Sequence, residues 1–174
     1  MKQSHSLAFV VSGIALISTI IYIAGIRVNT SESIPVGLYL MTPSPISKGE
    51  YVVFCPPPTS VFDKARSRGY INSGFCSGNY GYMMKKILAA KGDIVSINSN
   101  GVVINDIKIP YSKPLSVDLS GNPLPSINIL NHTLKESEIL LMTDQSNSSF
   151  DSRYFGFIDK QQVHSVIRPI LIWK

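Results

Sequence analysis

The chain has 174 residues, with 16 lysines and arginines against 11 acidic residues, for a formal net charge of +5. Its densest basic stretch, Lys64-Ala65-Arg66-Ser67-Arg68, has only Tyr70 near it for stacking, so it reads as a solvated loop with a modest attraction to anionic lipid headgroups, and no nucleic-acid partner is expected. The three histidines are isolated, no His-Glu-x-x-His occurs, and the two cysteines are far apart in sequence, which argues against a zinc centre; no metal or cofactor is expected.

From Leu7 to Ile26 no Asp, Glu, Lys or Arg interrupts an apolar run. At about 1.5 Å per helical residue, such a run reaches roughly 30 Å, the thickness of one hydrocarbon core. The run predicts an N-terminal transmembrane helix, with residues 1–27 as the anchor. A cleaved signal fits less well, because signal cores are usually about 7 to 15 residues long and end at a small-x-small site, which Ile23-Ala24-Gly25 matches poorly. A short tail with Lys2 favours a cytoplasmic N-terminus, although Arg27 follows at the other end. Residues 28–174 are then expected on the periplasmic side of the inner (cytoplasmic) membrane.

Beyond the anchor, Gly37–Met41, Tyr51–Phe54, Ile94–Ile97, Val102–Ile104, Ile139–Thr143 and Val166–Ile172 are rich in Val, Ile, Leu and Tyr and too short for independent helices. They predict a mostly β domain with no internal repeat. Residues 55–80 and 112–126 read as irregular excursions, the first holding a short helical turn over Val61–Arg68. Asn98-Ser99-Asn100-Gly101 is a hairpin signal, since Asn and Gly tolerate positive φ. Cys55 and Cys76 are an even pair that an oxidising compartment would join, the alternative being two unrelated thiols.

A serine–lysine chemistry is one reading of the residues; the plain one is a solvated lysine pair at a strand end and a turn serine before proline. A lysine acts as a general base only when neutral, so burial must pull its pKa down by several units. Lys85 sits among Met83, Met84, Ile87 and Leu88, and alternation on a strand sends Lys85 and Lys86 to opposite faces. The nucleophile candidate is Ser33, seven residues past the apolar run.

Three segments in this order carry a resemblance: Ser31-Glu32-Ser33 with Pro35; Lys85-Lys86-Ile87-Leu88-Ala89-Ala90-Lys91-Gly92-Asp93; and Asn147-Ser148-Ser149-Phe150-Asp151-Ser152-Arg153-Tyr154-Phe155-Gly156. Together they resemble the boxes of the signal peptidase I superfamily of serine-lysine proteases. Pro35 two residues after the serine, then Gly37-Leu38-Tyr39, Phe54-Cys55-Pro56-Pro57 and Arg168-Pro169, point to its TraF-type conjugative transfer branch. Lys91 where a proline is common, and Asp144-Gln145-Ser146 in place of Gly-Asp-Asn-Arg, depart from the general pattern.

The resemblance implies a signal-peptidase-like antiparallel β-sheet domain with Ser33 as nucleophile and Lys85 as general base. Ser31 would help at the oxyanion and Ser149, with Ser148 as rival, would orient the lysine. Asp151 and Arg153 would pair on one face of a presumed strand, Asp151 serving either a structural role or catalysis directly, and Lys86 would be a solvated neighbour. It also implies a membrane-embedded pilin precursor as substrate, cleaved or cyclised, and contacts with other conjugation proteins. The competing readings are a general type I signal peptidase acting on exported preproteins and a non-catalytic membrane-anchored scaffold of a conjugation or secretion apparatus.

Overall fold

The computed structural model describes the backbone of residues 2–173 and the side chains of residues 9–173. Helix α1, Lys2–Ile23, leads into strand β1, Ile26–Asn29. The helix stops short of the apolar run's end, and Ile26 belongs to the sheet. Arg27 helps set that boundary: its guanidinium donates to the carbonyls of Tyr22 and Ile26, both at 3.0 Å, and lies over the Tyr22 ring. Among the described residues no helix is long and apolar enough to cross a membrane. The expected span begins at Leu7, and the side chains of residues 7 and 8 lie outside the described set.

The rest is antiparallel β structure in two sheets. Seven strands run in the spatial order β1, β2 (Gly37–Thr42), β12 (Val163–Ile172), β3 (Tyr51–Phe54), β5 (Met83–Ala89), β10 (Glu138–Met142) and β11 (Ile158–Asp159). A four-stranded sheet runs β8 (Ile107–Lys108), β7 (Gly101–Ile104), β6 (Ile94–Asn98) and β9 (Ile129–Thr133). Strand β12 bridges two partners, pairing with β3 through Val163–Ile167 and with β2 through Val166–Ile172. Pro169 interrupts that ladder where the register shifts, the place a strand tolerates a residue without an N–H. Gly37 opens β2 beneath β12, and a Cβ there would lie 2.2 Å from the Leu171 carbonyl oxygen.

Strand β5 alternates strictly, with Met83, Lys85, Ile87 and Ala89 buried and the residues between them half-exposed. Lys85 and Lys86 therefore face opposite ways, as alternation requires. The hairpin between β6 and β7 forms where expected, but neither Ser99 nor Asn100 takes positive φ; it falls on Gly101. Instead, Asn98 Oδ1 accepts the N–H of Asn100 at 2.8 Å.

The 55–80 excursion holds more structure than a single turn: helix α2, Ser60–Ser67, and the short strand β4, Ser73–Cys76. Phe62 and Ala65, three apart on α2, face the core with Val52, Phe54 and Ile87, and Phe62 packs against the Phe155 ring. A Cys55–Cys76 disulfide, with Cα atoms 5.4 Å apart, pins the excursion's end back onto β3. A second core, around Val95, Ile97, Val102 and Leu140, joins the two sheets. A third, of Ile34, Tyr39, Val53 and Ile167, underlies the loop that carries Ser33.

Candidate active site

Ser33 lies on the loop between β1 and β2, Lys85 in the middle of β5, and Ser149 on the segment after β10. Each is fixed by a different part of the chain, and the folded sheet brings them together. Lys85 Nζ donates to Ser33 Oγ at 2.6 Å and to Ser149 Oγ at 3.0 Å. The two serine oxygens are 2.9 Å apart, so the three groups close a triangle.

Lys85 is 4% exposed. Its desolvation lowers its pKa from 10.5 to about 8; the Asp151 carboxylate opposes that fall and the Arg153 guanidinium reinforces it. Burial disfavours the ammonium, so a much larger neutral fraction exists near neutral pH than for a solvated lysine. The triangle opens on a cleft of about 460 Å³ bounded by Ser31, Glu32, Tyr70, Tyr82, Met84 and Phe150.

Ser149 is buried, whereas Ser148 is exposed and shares a hydrogen bond with Ser146, so Ser149 is the serine that meets the lysine. Ser31 lines the same cleft, but its hydroxyl donates to Asn29 Oδ1 at 3.0 Å. Lys86 turns away and pairs with Asp144 at 2.8 Å.

Asp151 and Arg153 do pair, but not on a strand. Asp151 is the N-cap of helix α3, Ser152–Phe155, and its Oδ1 accepts the Arg153 N–H. A capping aspartate followed by its own first turn outweighs the alternation expected of a strand. Both side chains are fully buried, joined at 2.8 and 2.9 Å. The remaining guanidinium donors reach the carbonyls of Tyr111, Ser146, Asn147 and Ser149. Arg153 thus fixes the segment that presents Ser149. Asp151 accepts from Arg153 and from the Thr143 N–H, which makes its hydrogen bonds structural.

The two histidines with described side chains are engaged elsewhere: His132 pairs with Glu138 and stacks on Phe157, and His164 packs on Tyr82. The sequence reading missed Asn29, which is 4% exposed and bonded to Ser31, Ile34 and Pro35 in the loop that carries Ser33. Its signal was an Asn two residues before a Ser, the spacing of an Asx turn.

Comparison with known proteins places the chain in a family. The chain belongs to the family described as signal peptidase, peptidase S26, whose model matches residues 1–173, and so to a family of serine peptidases. Within it, the chain is 51% identical over 166 residues to a plasmid transfer protein TraF of Escherichia coli, covering 94% of this chain and 93% of that one. It is 31% identical over 176 residues to a conjugal transfer protein TraF of Agrobacterium tumefaciens, covering 98% and 97%. A signal peptidase I structure from Enterococcus faecalis aligns over 72% of this chain and 98% of its own, at 19% identity and a TM-score of 0.41.

Proposed function

We propose that the protein is a membrane-anchored serine–lysine endopeptidase that matures a pilin precursor for conjugative transfer at the periplasmic face of the inner membrane. The observation that carries this reading is the contact of buried Lys85 with Ser33 at the floor of an open cleft.

In this mechanism neutral Lys85 takes the proton of Ser33 as Oγ attacks the scissile carbonyl. The Ser33 N–H and the Ser31 hydroxyl meet the developing oxyanion. The Lys85 ammonium then protonates the leaving amine, and an acyl-enzyme remains on Ser33. A water activated by Lys85, or an amine of the same peptide, releases the acyl group. The first outcome is hydrolysis and the second cyclisation. Ser149 holds the lysine amine in place throughout.

The anchor is supported by the uncharged run Leu7–Ile26 and by the exposure of Phe9, Val10, Val11, Ile14, Leu16, Ile17, Ile20 and Ile23, an apolar surface that water would not tolerate on a free helix. Val28 on β1, Leu40 on β2 and Ile170 to Trp173 at and just past the end of β12 are exposed too, on successive strands of the sheet edge that the helix leads into. The relatives named as plasmid and conjugal transfer proteins support the substrate class.

The test co-expresses a pilin precursor with wild type, Ser33→Ala and Lys85→Ala and weighs the product. Wild type alone should shorten the precursor, and a product lighter than the linear cleaved chain by one water marks cyclisation. Processing that survives both substitutions would overturn the reading. Release of the enzyme from membranes by alkaline carbonate would overturn the anchor.

A further inference from the structure

Asn29 ends β1 and is almost wholly withdrawn from solvent. Its Nδ2 donates to the carbonyls of Ser31, Ile34 and Pro35 at 2.7, 2.9 and 3.0 Å. Its Oδ1 accepts the Ser31 N–H at 3.2 Å and the Ser31 hydroxyl at 3.0 Å. A carboxamide offers two donors and one acceptor oxygen with two lone pairs, so all of its capacity is spent on the loop that carries Ser33. Tyr39 braces the same loop from β2, its hydroxyl donating to the Pro35 carbonyl at 2.6 Å.

We propose that Asn29 is a positioning residue: its carboxamide clamps the 31–35 loop into the shape that aims Ser33 at Lys85, and it parks the Ser31 hydroxyl until substrate arrives. The inference rests on the proposed function for its activity readout. A hydroxyl has one proton, so while Ser31 donates to Asn29 it has none for an oxyanion. On substrate binding that hydroxyl must rotate off Oδ1, and the Ser31 N–H then remains to hold the clamp. No rearrangement of the backbone is needed. Asn29 touches neither Ser33 Oγ nor Lys85 Nζ in any hydrogen bond, so its effect on the reaction passes through Ser31 and the loop.

A displaced nucleophile loses rate more than affinity. Misplacement by about 1 Å can cost ~10²-fold, and loss of one oxyanion donor typically costs about 10² to 10³-fold.

The experiment uses the full chain in phosphatidylethanolamine and phosphatidylglycerol vesicles. It compares wild type, Ser33→Ala, Ser31→Ala, Asn29→Ala, Asn29→Asp and the Asn29→Ala/Ser31→Ala double variant. Two readouts are taken: cleavage of a fluorogenic peptide with alanine before the scissile bond, and hydrogen exchange over residues 30–36, which does not depend on turnover. Asn29→Ala should lower kcat by roughly 10 to 100-fold with KM within about twofold, and should speed exchange in that segment while the β5 and β10 amides stay protected. The double variant should fall no more than about threefold below the worse single variant, because the two residues act as one unit. Asn29→Asp keeps an oxygen to accept the Ser31 N–H and hydroxyl and loses the donors to the Ser31, Ile34 and Pro35 carbonyls, so it reads the loop clamp alone and serves if Asn29→Ala does not accumulate. Unchanged exchange over 30–36 overturns the clamp, whatever the activity. Unchanged kcat, or losses that multiply in the double variant, overturns the action through Ser31. Cleavage retained by Ser33→Ala overturns the proposed function instead, and hydrogen exchange over 30–36 then still decides for or against the clamp.

Discussion

Lys85 Nζ and Ser33 Oγ lie 2.6 Å apart although 52 residues separate them in sequence. The same amine reaches Ser149 Oγ, so two serines share one buried lysine. They differ in access: Ser33 is partly open to the cleft, whereas Ser149 is buried and its carbonyl is held by Arg153. Under the proposed function, that difference gives attack to Ser33 and orientation of the lysine to Ser149.

The lowered pKa of Lys85 makes the pH dependence specific. A base of pKa about 8 is mostly protonated at neutral pH. The rate constant kcat/KM should therefore climb nearly tenfold per pH unit below about 8 and level off above it. Stability moves in the same direction. Between about 8 and 10.5 the unfolded chain holds a proton that folded Lys85 has released, so stability rises with pH across that window. The burial cost is fully present below it. Urea unfolding of wild type and Lys85→Met at pH near 7 and near 10 should show wild type gaining relative to the variant at the higher pH; a constant difference would contradict the assignment.

Lys86 is the control for its neighbour. It is partly exposed and paired with Asp144 at 2.8 Å, an arrangement typically worth about 0 to 1 kcal/mol. Lys86→Ala should keep peptidase activity within about threefold and shift stability by no more than about 1 kcal/mol. Loss of activity comparable to Lys85→Ala would show that the wrong lysine has been chosen.

Arg153→Met should be among the most destabilising single changes. It strands a fully buried Asp151 and unties the carbonyls of Tyr111, Ser146, Asn147 and Ser149. Breaking one partner of a buried ion pair costs about 3 to 5 kcal/mol, which for a domain of this size lowers Tm by roughly 6 to 20 °C. Replacing both partners with apolar residues should recover part of the ion-pair loss but not the Ser149 placement, so activity stays low as Tm returns.

The Cys55–Cys76 bond spans 21 residues and closes the excursion that carries α2 and brings Tyr70 to the cleft. A loop of that length contributes about 3 kcal/mol in the chain-entropy account. Reduction, or the Cys55→Ser/Cys76→Ser pair, should move the urea midpoint down accordingly. Rapid alkylation of both thiols in protein isolated without reductant would contradict the bond.

Much of this was legible where local pattern and environment agree. Tyr51–Phe54 is observed as expected because its side chains serve the buried middle of the large sheet. The opposed faces of Lys85 and Lys86 followed from alternation alone. Strand β9 escaped because Ile129–Thr133 is largely exposed and polar, with Asn131 and His132 inside it; its pairing with β6 is a tertiary fact. Strand β1 was hidden by the apolar run that precedes it. The Asp151–Arg153 pair was legible, but its backbone was not, since one capping aspartate is weighed only against its own helix. Asn29 was missed because its clamp of five bonds leaves no periodic trace, only the short Asx-turn spacing to Ser31.

The most direct measurement is covalent. A peptide ester that acylates serine hydrolases is incubated with wild type and Lys85→Met at about pH 8, and the adduct is located by intact mass and peptide mapping. One acyl group on Ser33 of wild type, absent from Lys85→Met, is the result predicted by a Ser33 nucleophile and a Lys85 base. An adduct on Ser149, or equal acylation of Ser33 without the lysine, would contradict it.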